Sequence, residues 1–102
     1  MKGEKMSSLK SVKNSLISLK PYLQRKYNIS SIALFGSYAR EEQTDKSDID
    51  ILVDFKKTPD LLTFIEIEEF LKEKLKTTVD LIPQRKLKSQ LKSQILNEAI
   101  KI

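Results

Sequence analysis

The sequence predicts a small α/β fold in which helices pack on a mixed β-sheet of three or four strands. Three short apolar segments, at residues 31–35, 48–55 and 78–82, alternate with longer segments whose apolar residues recur every three or four positions. The 102 residues contain no internal repeat, low-complexity tract or linker, and this length fits one domain with one modest core. We therefore expect a single domain over residues 1–102.

The first amphipathic segment covers residues 9–23. Its apolar residues form a stripe at helical spacing, made of Leu9, Val12, Leu16, Leu19 and Leu23. Ser7 or Ser8 is a suitable N-cap, because a serine hydroxyl accepts a hydrogen bond from the first free amides of a helix. Proline lacks an amide hydrogen and clashes with the preceding turn, so Pro21 predicts either a kink near Ser18–Lys20 or a second helix that begins at the proline.

The next part of the chain, residues 31–55, predicts a strand, a short helix and a second strand. Ser31–Phe35 is the first strand, which ends at a glycine, and residues 37–42 can form one or two helical turns. The polar sequence QTDKS then favours a turn, in which Ser47 could also steady the aspartate that follows it. Apolar and acidic residues alternate over residues 48–55, as is typical of a strand with two different faces.

A second long helix is predicted after this strand. Thr58 suits the N-cap, Pro59 the first helical position and Asp60 the first turn, and the helix continues to about Lys76. We expect its buried side to consist of Leu61, Leu62, Ile65, Phe70, Leu71 and Leu75.

The C-terminal part predicts one more strand and one more helix. Thr78–Ile82 is the third strand, and Pro83 ends it. Apolar residues at a spacing of four then indicate a final amphipathic helix, and they are Leu87, Leu91, Ile95 and Ala99.

The composition restricts the chemistry that the chain can perform. Cysteine and histidine are both absent, which excludes disulfides, thiol chemistry, zinc fingers and imidazole catalysis. No run approaches the roughly 18 to 20 apolar residues that cross a bilayer, and the N-terminus has no apolar signal segment, so we expect a cytoplasmic protein without membrane contact. The net charge of +5 is concentrated in residues 1–27 and 84–102. Lysines on outer helix faces explain it more simply than a nucleic-acid partner does, because few aromatic residues accompany them.

Two carboxylates share one face of the second strand. Asp48 and Asp50 are two positions apart, so their side chains project to the same side, with about 6.5 Å between them along the backbone. Two unpartnered carboxylates at this separation repel each other, and a hard divalent cation such as Mg²⁺ relieves the repulsion. Asp80 interrupts the apolar third strand in the same way, and it completes a carboxylate triad if the two strands are neighbours. It could then accept a proton or hold a second metal ion.

Gly36 and Ser37 have the opposite electrostatic character. Glycine allows the backbone to approach a ligand closely, and the amides at the start of a helical turn carry partial positive charge that suits a phosphate. Arg40, one turn later, could add a charge-assisted contact.

These residues resemble the signature of a known superfamily. The segment GSYAREEQTDKSDID matches the nucleotidyltransferase superfamily related to DNA polymerase beta, in which Gly-Ser is followed after ten residues by Asp-x-Asp. The third acid, Asp80, falls in the expected following strand. The whole chain resembles the minimal nucleotidyltransferases, the small antitoxin members of HEPN–MNT toxin–antitoxin pairs.

The resemblance implies a polymerase beta-like fold and a site for Mg²⁺ and ATP. It implies that Gly36 and Ser37 contact the triphosphate, that Asp48 and Asp50 hold metal, and that Asp80 acts as a base or third ligand. It further implies that AMP is transferred from ATP to a tyrosine hydroxyl of a partner HEPN ribonuclease, which silences this toxin.

One position departs from the family pattern, and three alternatives to this function remain open. Many relatives have glycine after the arginine, whereas this chain has Glu41, which bears on the conformation of the turn and on the charge near a triphosphate. The first alternative is a non-catalytic antitoxin that masks the toxin by binding alone. The other two are nucleotidyltransferases that act on RNA or on a small molecule.

Overall fold

The computed structural model describes residues 8–102 and contains four helices and a four-stranded sheet. The helices are α1 (Leu9–Tyr27), α2 (Gly36–Ala39), α3 (Leu61–Leu75) and α4 (Ser89–Glu98), and the strands are β1 (Ile29–Phe35), β2 (Ile49–Phe55), β3 (Val79–Pro83) and β4 (Ile100–Lys101). A 3-10 turn at Gln84–Lys86 follows β3. The predicted α/β class with helices on a small sheet is confirmed.

The sheet is mixed, with the strand order β3-β2-β1-β4. Strand β1 pairs antiparallel with β2 on one side and with β4 on the other, whereas β2 and β3 run parallel. Parallel neighbours need a long connection, and α3 provides it between β2 and β3. The β2–β3 pairing makes Asp80 the direct partner of Asp50, so the strand that carries the third acid is indeed the neighbour of the second strand.

The two long helices cover one face of the sheet and enclose the core. Buried residues of α1 and α3 form one cluster with the residues of β2 that alternate with the acids, and the cluster includes Val12, Leu16, Leu23, Ile67, Leu71, Leu75, Ile49, Ile51 and Val53. Asp50, Leu52 and Asp54 project to the opposite face by strand alternation. The sheet therefore keeps its acids away from the main core, on the side where α1 and α3 do not pack.

The first helix is longer than predicted and is not divided at its proline. Ser8 caps α1, since its side chain accepts a hydrogen bond from the amide of Ser11, and the other candidate, Ser7, lies outside the described residues. A single helix continues through Pro21 to Tyr27, so the predicted restart is wrong. Pro21 is solvent-exposed, and water can satisfy the carbonyl oxygen one turn earlier that loses its amide partner.

The second long helix begins later than predicted and buries a different stripe. Asp60, not Thr58, is its N-cap, and the Asp60 side chain accepts a hydrogen bond from the amide of Thr63. Leu61 and Leu62 are 72% and 79% exposed, and Ile65 is exposed as well, so their predicted burial is wrong. The residues of α3 that do pack against the core are Phe64, Ile67, Phe70, Leu71 and Leu75, so the prediction is confirmed for Phe70, Leu71 and Leu75.

The remaining elements differ from the predictions mainly at their ends. Helix α2 is four residues long and ends before Arg40, and Pro83 is the last residue of β3, not the residue after it. The final helix begins after Leu87 and ends before Ala99, and none of its residues is fully buried. The short strand β4 follows it and was not predicted. None of the helices in the described part of the chain is long and apolar enough to span a membrane.

Candidate active site

The turn from β1 into α2 brings the backbone against an acidic side chain. Gly36 has a φ of +72°, in the left-handed region that glycine occupies readily. A Cβ atom at this position would lie 2.1 Å from Oδ2 of Asp50, which is far inside van der Waals contact. Phe35 is the direct partner of Asp50 in the antiparallel β1–β2 pairing, so the register of the sheet itself creates this contact. Only glycine fits at this position without moving the carboxylate.

The rest of α2 anchors this turn to the core. Tyr38 is 3% exposed and belongs to the core cluster. Ser37 is half-buried and lies in the first turn, and its carbonyl oxygen accepts a hydrogen bond from the amide of Glu42 at 2.9 Å. The Gly-Ser turn is therefore held rigidly at one end of the sheet.

Asp50 is the electrostatic centre of the site. Its side chain is half-buried, and burial raises the pKa of this carboxyl above its ordinary value of 3.8. The negative charges of Asp80 and Asp48 raise this pKa further, whereas the positive charge of Arg40 opposes the shift. All three predicted acids and the predicted arginine thus lie close enough to influence the same carboxylate.

The outer two acids, Asp80 on β3 and Asp48 just before β2, are solvent-exposed. Asp80 faces Asp50 directly across the parallel β2–β3 pair, and Asp48 immediately precedes β2. The hydroxyl of Thr78 donates a hydrogen bond to Oδ1 of Asp48. Ser47 accepts instead from the amide of Thr44, so the expectation that it steadies Asp48 is replaced by the contact from Thr78.

The three acids fit a divalent cation by their chemistry, although they do not form a closed cage. Carboxylate oxygens are the ligands that Mg²⁺ prefers, and a cation would offset both the burial of the Asp50 carboxylate and the repulsion from Asp80 and Asp48, which together raise its pKa. Within residues 8–102 no three acidic side chains already converge as a metal-binding group. The sheet register sets the positions of the three backbones, and side-chain rotation would complete the coordination.

Arg40 pairs with two glutamates in this structure. Its Nε donates to Oε1 of Glu42 at 2.9 Å, and its guanidinium lies 3.7 Å from the carboxylate of Glu98 at the end of α4. The hydrogen bond to Glu42 is the main reason that the pKa of Arg40 is raised. All three side chains are about half exposed, so both ion pairs are weak and a phosphate group can compete for the arginine.

Two residues at the site were missed by sequence reasoning. Thr78 lies two positions before Asp80, and strand alternation could have placed both on the same face. Glu98 could not have been found in this way, because its approach to Arg40 depends on how α4 packs. The site therefore combines a pattern within strands, which a sequence can reveal, with a helix position that it cannot.

Curated relatives cover almost the whole chain. A protein of Methanocaldococcus jannaschii that is assigned by name to the protein adenylyltransferases is 45% identical over 95 residues, which is 93% of each chain. The protein adenylyltransferase MntA of Thermococcus cleftensis is 40% identical over 95 residues, covering 93% of this chain and 96% of that protein.

Solved structures share the same fold. A structure described as a minimal nucleotidyltransferase superposes with a TM-score of 0.84 at 30% identity, over 98% of this chain and 100% of the other. A toxin–antitoxin complex with AMP-PNP contains a chain with a TM-score of 0.72 and 31% identity, over 87% of this chain and 70% of that one. The complex of a tri-AMPylated HEPN toxin from Shewanella oneidensis with an MNT antitoxin contains a chain with a TM-score of 0.66 and 27% identity, over 91% of this chain and 70% of that one.

The match to a family of known domains agrees with the geometry of the site. Residues 16–102 match the nucleotidyltransferase domain, and this range contains the Gly-Ser turn and all three acids. The chain is therefore an enzyme that belongs to the nucleotidyltransferase domain family, and its fold is that of the minimal nucleotidyltransferases.

Proposed function

We propose that this enzyme transfers AMP from ATP to a tyrosine hydroxyl of a cognate HEPN ribonuclease, in a Mg²⁺-dependent reaction, and thereby acts as an antitoxin. The observation that carries the proposal is the carboxylate of Asp50, which is held against the backbone of Gly36 and lies within the electrostatic reach of Asp48 and Asp80. This arrangement supports a site in which the proposed metal ligands lie beside a turn suited to phosphate, as nucleotidyl transfer requires.

Two of the three acids bind the metal, and the third accepts a proton. Asp48 and Asp50 hold the metal, which when bound neutralises phosphate charge and stabilises the transition state of an in-line displacement. Asp80 is exposed and directly opposite Asp50, so an incoming hydroxyl can reach it. Asp80 accepts the proton of the tyrosine hydroxyl as the tyrosine oxygen bonds to the α-phosphorus, and the bond from this phosphorus to the β-phosphate oxygen breaks to release pyrophosphate.

The turn and the arginine handle the nucleotide. The rigid turn at Gly36 and Ser37 presents backbone amides to the triphosphate, and no side chain at Gly36 blocks the approach. Arg40 leaves its surface partners Glu42 and Glu98 and pairs with phosphate oxygens, where a guanidinium binds more strongly than it does to an exposed glutamate.

The relatives support the partner and the transferred group. MntA of Thermococcus cleftensis is a protein adenylyltransferase, and the Shewanella oneidensis complex pairs an MNT antitoxin with a tri-AMPylated HEPN toxin. The complex with AMP-PNP supports ATP as the donor. ATP and the RNA on which a ribonuclease acts are both intracellular, so the proposal places this protein in the cytoplasm.

Label transfer tests the proposal directly. The protein is incubated with its cognate HEPN protein, Mg²⁺ and ATP labelled at the α-phosphate, and the modified residue is mapped by mass spectrometry. We expect label on a tyrosine of the partner, and loss of nearly all of it when Asp48→Asn and Asp50→Asn are combined. Asp54→Asn is the matched control, because Asp54 follows on the same strand and face and pairs with Arg85 at 3.4 Å. Absence of label with the unmodified protein, or equal label with the double variant, would contradict the proposal.

The same variants separate catalysis from simple masking of the toxin. If the double variant still protects cells that express the HEPN protein as fully as the unmodified chain, the chain acts by binding alone. We expect protection to be lost together with the label.

A further inference from the structure

The carboxylate of Asp48 lies at a position where the backbone does little to orient it. The residue immediately precedes β2 and its side chain is solvent-exposed. The torsion that rotates a carboxylate about its Cβ–Cγ bond is broad, so an exposed aspartate samples many orientations. A metal ligand with this freedom would have to be ordered each time a cation binds.

Two hydrogen bonds from one residue remove this freedom. The hydroxyl of Thr78 donates to Oδ1 of Asp48, while the carbonyl oxygen of Thr78 accepts from the amide of Ile49 at 3.0 Å. The backbone bond fixes the two chain segments side by side, and the side-chain bond fixes the carboxylate relative to them. Threonine is branched at Cβ, so its own side chain has few rotamers and makes a stiff donor.

Thr78 has this role because of its place beside β3. It immediately precedes that strand and lies two residues before Asp80, and its hydrogen bond to Asp48 places its hydroxyl beside the acids. The hydroxyl occupies only one oxygen of Asp48 and leaves Oδ2 available to a cation. Thr78 thus contacts a metal ligand without taking its place.

We propose that Thr78 is a positioning residue that orients Asp48 for the divalent cation, an inference that rests on the metal-binding role of Asp48 in the proposed function. Outer groups that hold metal ligands in place typically contribute 10-fold to 100-fold to metal affinity. The hydroxyl of Thr78 therefore contributes about tenfold to cation affinity, and it does so through Asp48.

Direct measurement of cation binding tests this role without relying on activity. Mn²⁺ replaces Mg²⁺ as the probe, and free Mn²⁺ is measured by electron paramagnetic resonance as the full chain is titrated, without nucleotide or partner. Thr78→Val removes the hydroxyl and keeps the branched shape and the backbone hydrogen bond. We expect it to weaken Mn²⁺ binding about tenfold, Thr78→Ser to restore affinity to within about threefold, and Thr77→Val, the matched control, to leave affinity unchanged. Thermal unfolding in EDTA should give all four proteins similar midpoints, because no core contact is lost.

A second pair of variants isolates the pathway of the effect. In an Asp48→Asn background, adding Thr78→Val should cause no further loss of Mn²⁺ affinity, because the group that Thr78 orients has lost its charge. An unchanged Mn²⁺ affinity in Thr78→Val, or an equal loss in both Asp48 backgrounds, would overturn the role of Thr78 while leaving the proposed function intact. If the unmodified protein binds no Mn²⁺, the metal-dependent function fails and the role of Thr78 fails with it.

Discussion

Replacing Gly36 with alanine perturbs the contact between the turn and the carboxylate of Asp50. Two costs add. A left-handed conformation costs a residue with a Cβ roughly 1–2 kcal/mol, and the new methyl group would lie 2.1 Å from Oδ2 and 3.0 Å from Cγ of Asp50. Relieving an overlap of this kind in a packed site costs about 1–3 kcal/mol. We therefore expect Gly36→Ala to lower the free energy of unfolding by about 2–5 kcal/mol.

The two costs can be separated by removing the atoms that clash. In an Asp50→Ala background Oδ2 and Cγ are absent, and the nearest remaining atom is Cβ of residue 50 at 3.3 Å, a tight but tolerable contact. Gly36→Ala should then cost only the conformational part, about 1–2 kcal/mol. The difference between the two backgrounds is the coupling free energy of the contact, about 1–3 kcal/mol.

Urea unfolding at pH 7 in EDTA measures all four proteins. A metal-free buffer is needed because a bound cation would stabilise only the proteins that keep Asp50. If Gly36→Ala costs the same free energy in both backgrounds, the contact with Asp50 contributes nothing and the steric reasoning is refuted.

Three further predictions follow from burial, charge and backbone conformation. Burial and two like charges raise the pKa of Asp50, so the folded state holds this proton more tightly than the unfolded state does. The ionised group therefore lowers the free energy of unfolding above pH 3.8 and has no effect well below it. Asp50→Asn should be the more stable protein at pH 7 in EDTA, and urea unfolding should show that this gain vanishes toward pH 3. Leu71→Ala should cost about 2–5 kcal/mol because the side chain is 2% exposed, whereas Leu62→Ala on the same helix should stay within about 0.5 kcal/mol by the same assay. Glu41→Gly should raise the free energy of unfolding by about 0.5 kcal/mol, since glycine relieves a φ of +56° but costs more backbone entropy on folding; a lower denaturation midpoint would contradict this.

The strands could be predicted from the sequence because their pattern is local. Alternation predicted Asp48 and Asp50 on one face, and Asp50 is indeed only half-buried while Ile49 and Ile51 on either side of it are buried. The left-handed conformation at Glu41, with a φ of +56°, also agrees with the expectation that this residue bears on the conformation of the turn. Such features depend on neighbours within a few residues, which a single sequence contains.

The long helix α3 could not be placed correctly because it has more apolar residues than it can bury. Its stripe of inward residues begins at Phe64 and continues through Ile67, Leu71 and Leu75. Leu62 lies off this stripe, and Leu61, three positions before Phe64, is exposed as the first residue of the helix. Which stripe is buried depends on how the helix rotates against the sheet, and that rotation is set by packing against α1 and β3. The two-residue strand β4 depends in the same way on a tertiary contact, its pairing with β1.

The three acids of the candidate site lie at one end of the sheet, where burial changes along β2. Asp48 is exposed and Asp50 is half-buried, yet Leu52, two residues farther on the same face, is 1% exposed. The 3-10 turn that follows β3 contacts β2, and α4 contacts the neighbouring strand β1. A carboxylate at position 52 would lack both solvent and a cation, and its desolvation would be costly. The open part of the face therefore extends for only a few residues, and the parallel pairing of β2 with β3 is what places Asp80 beside Asp50 within it.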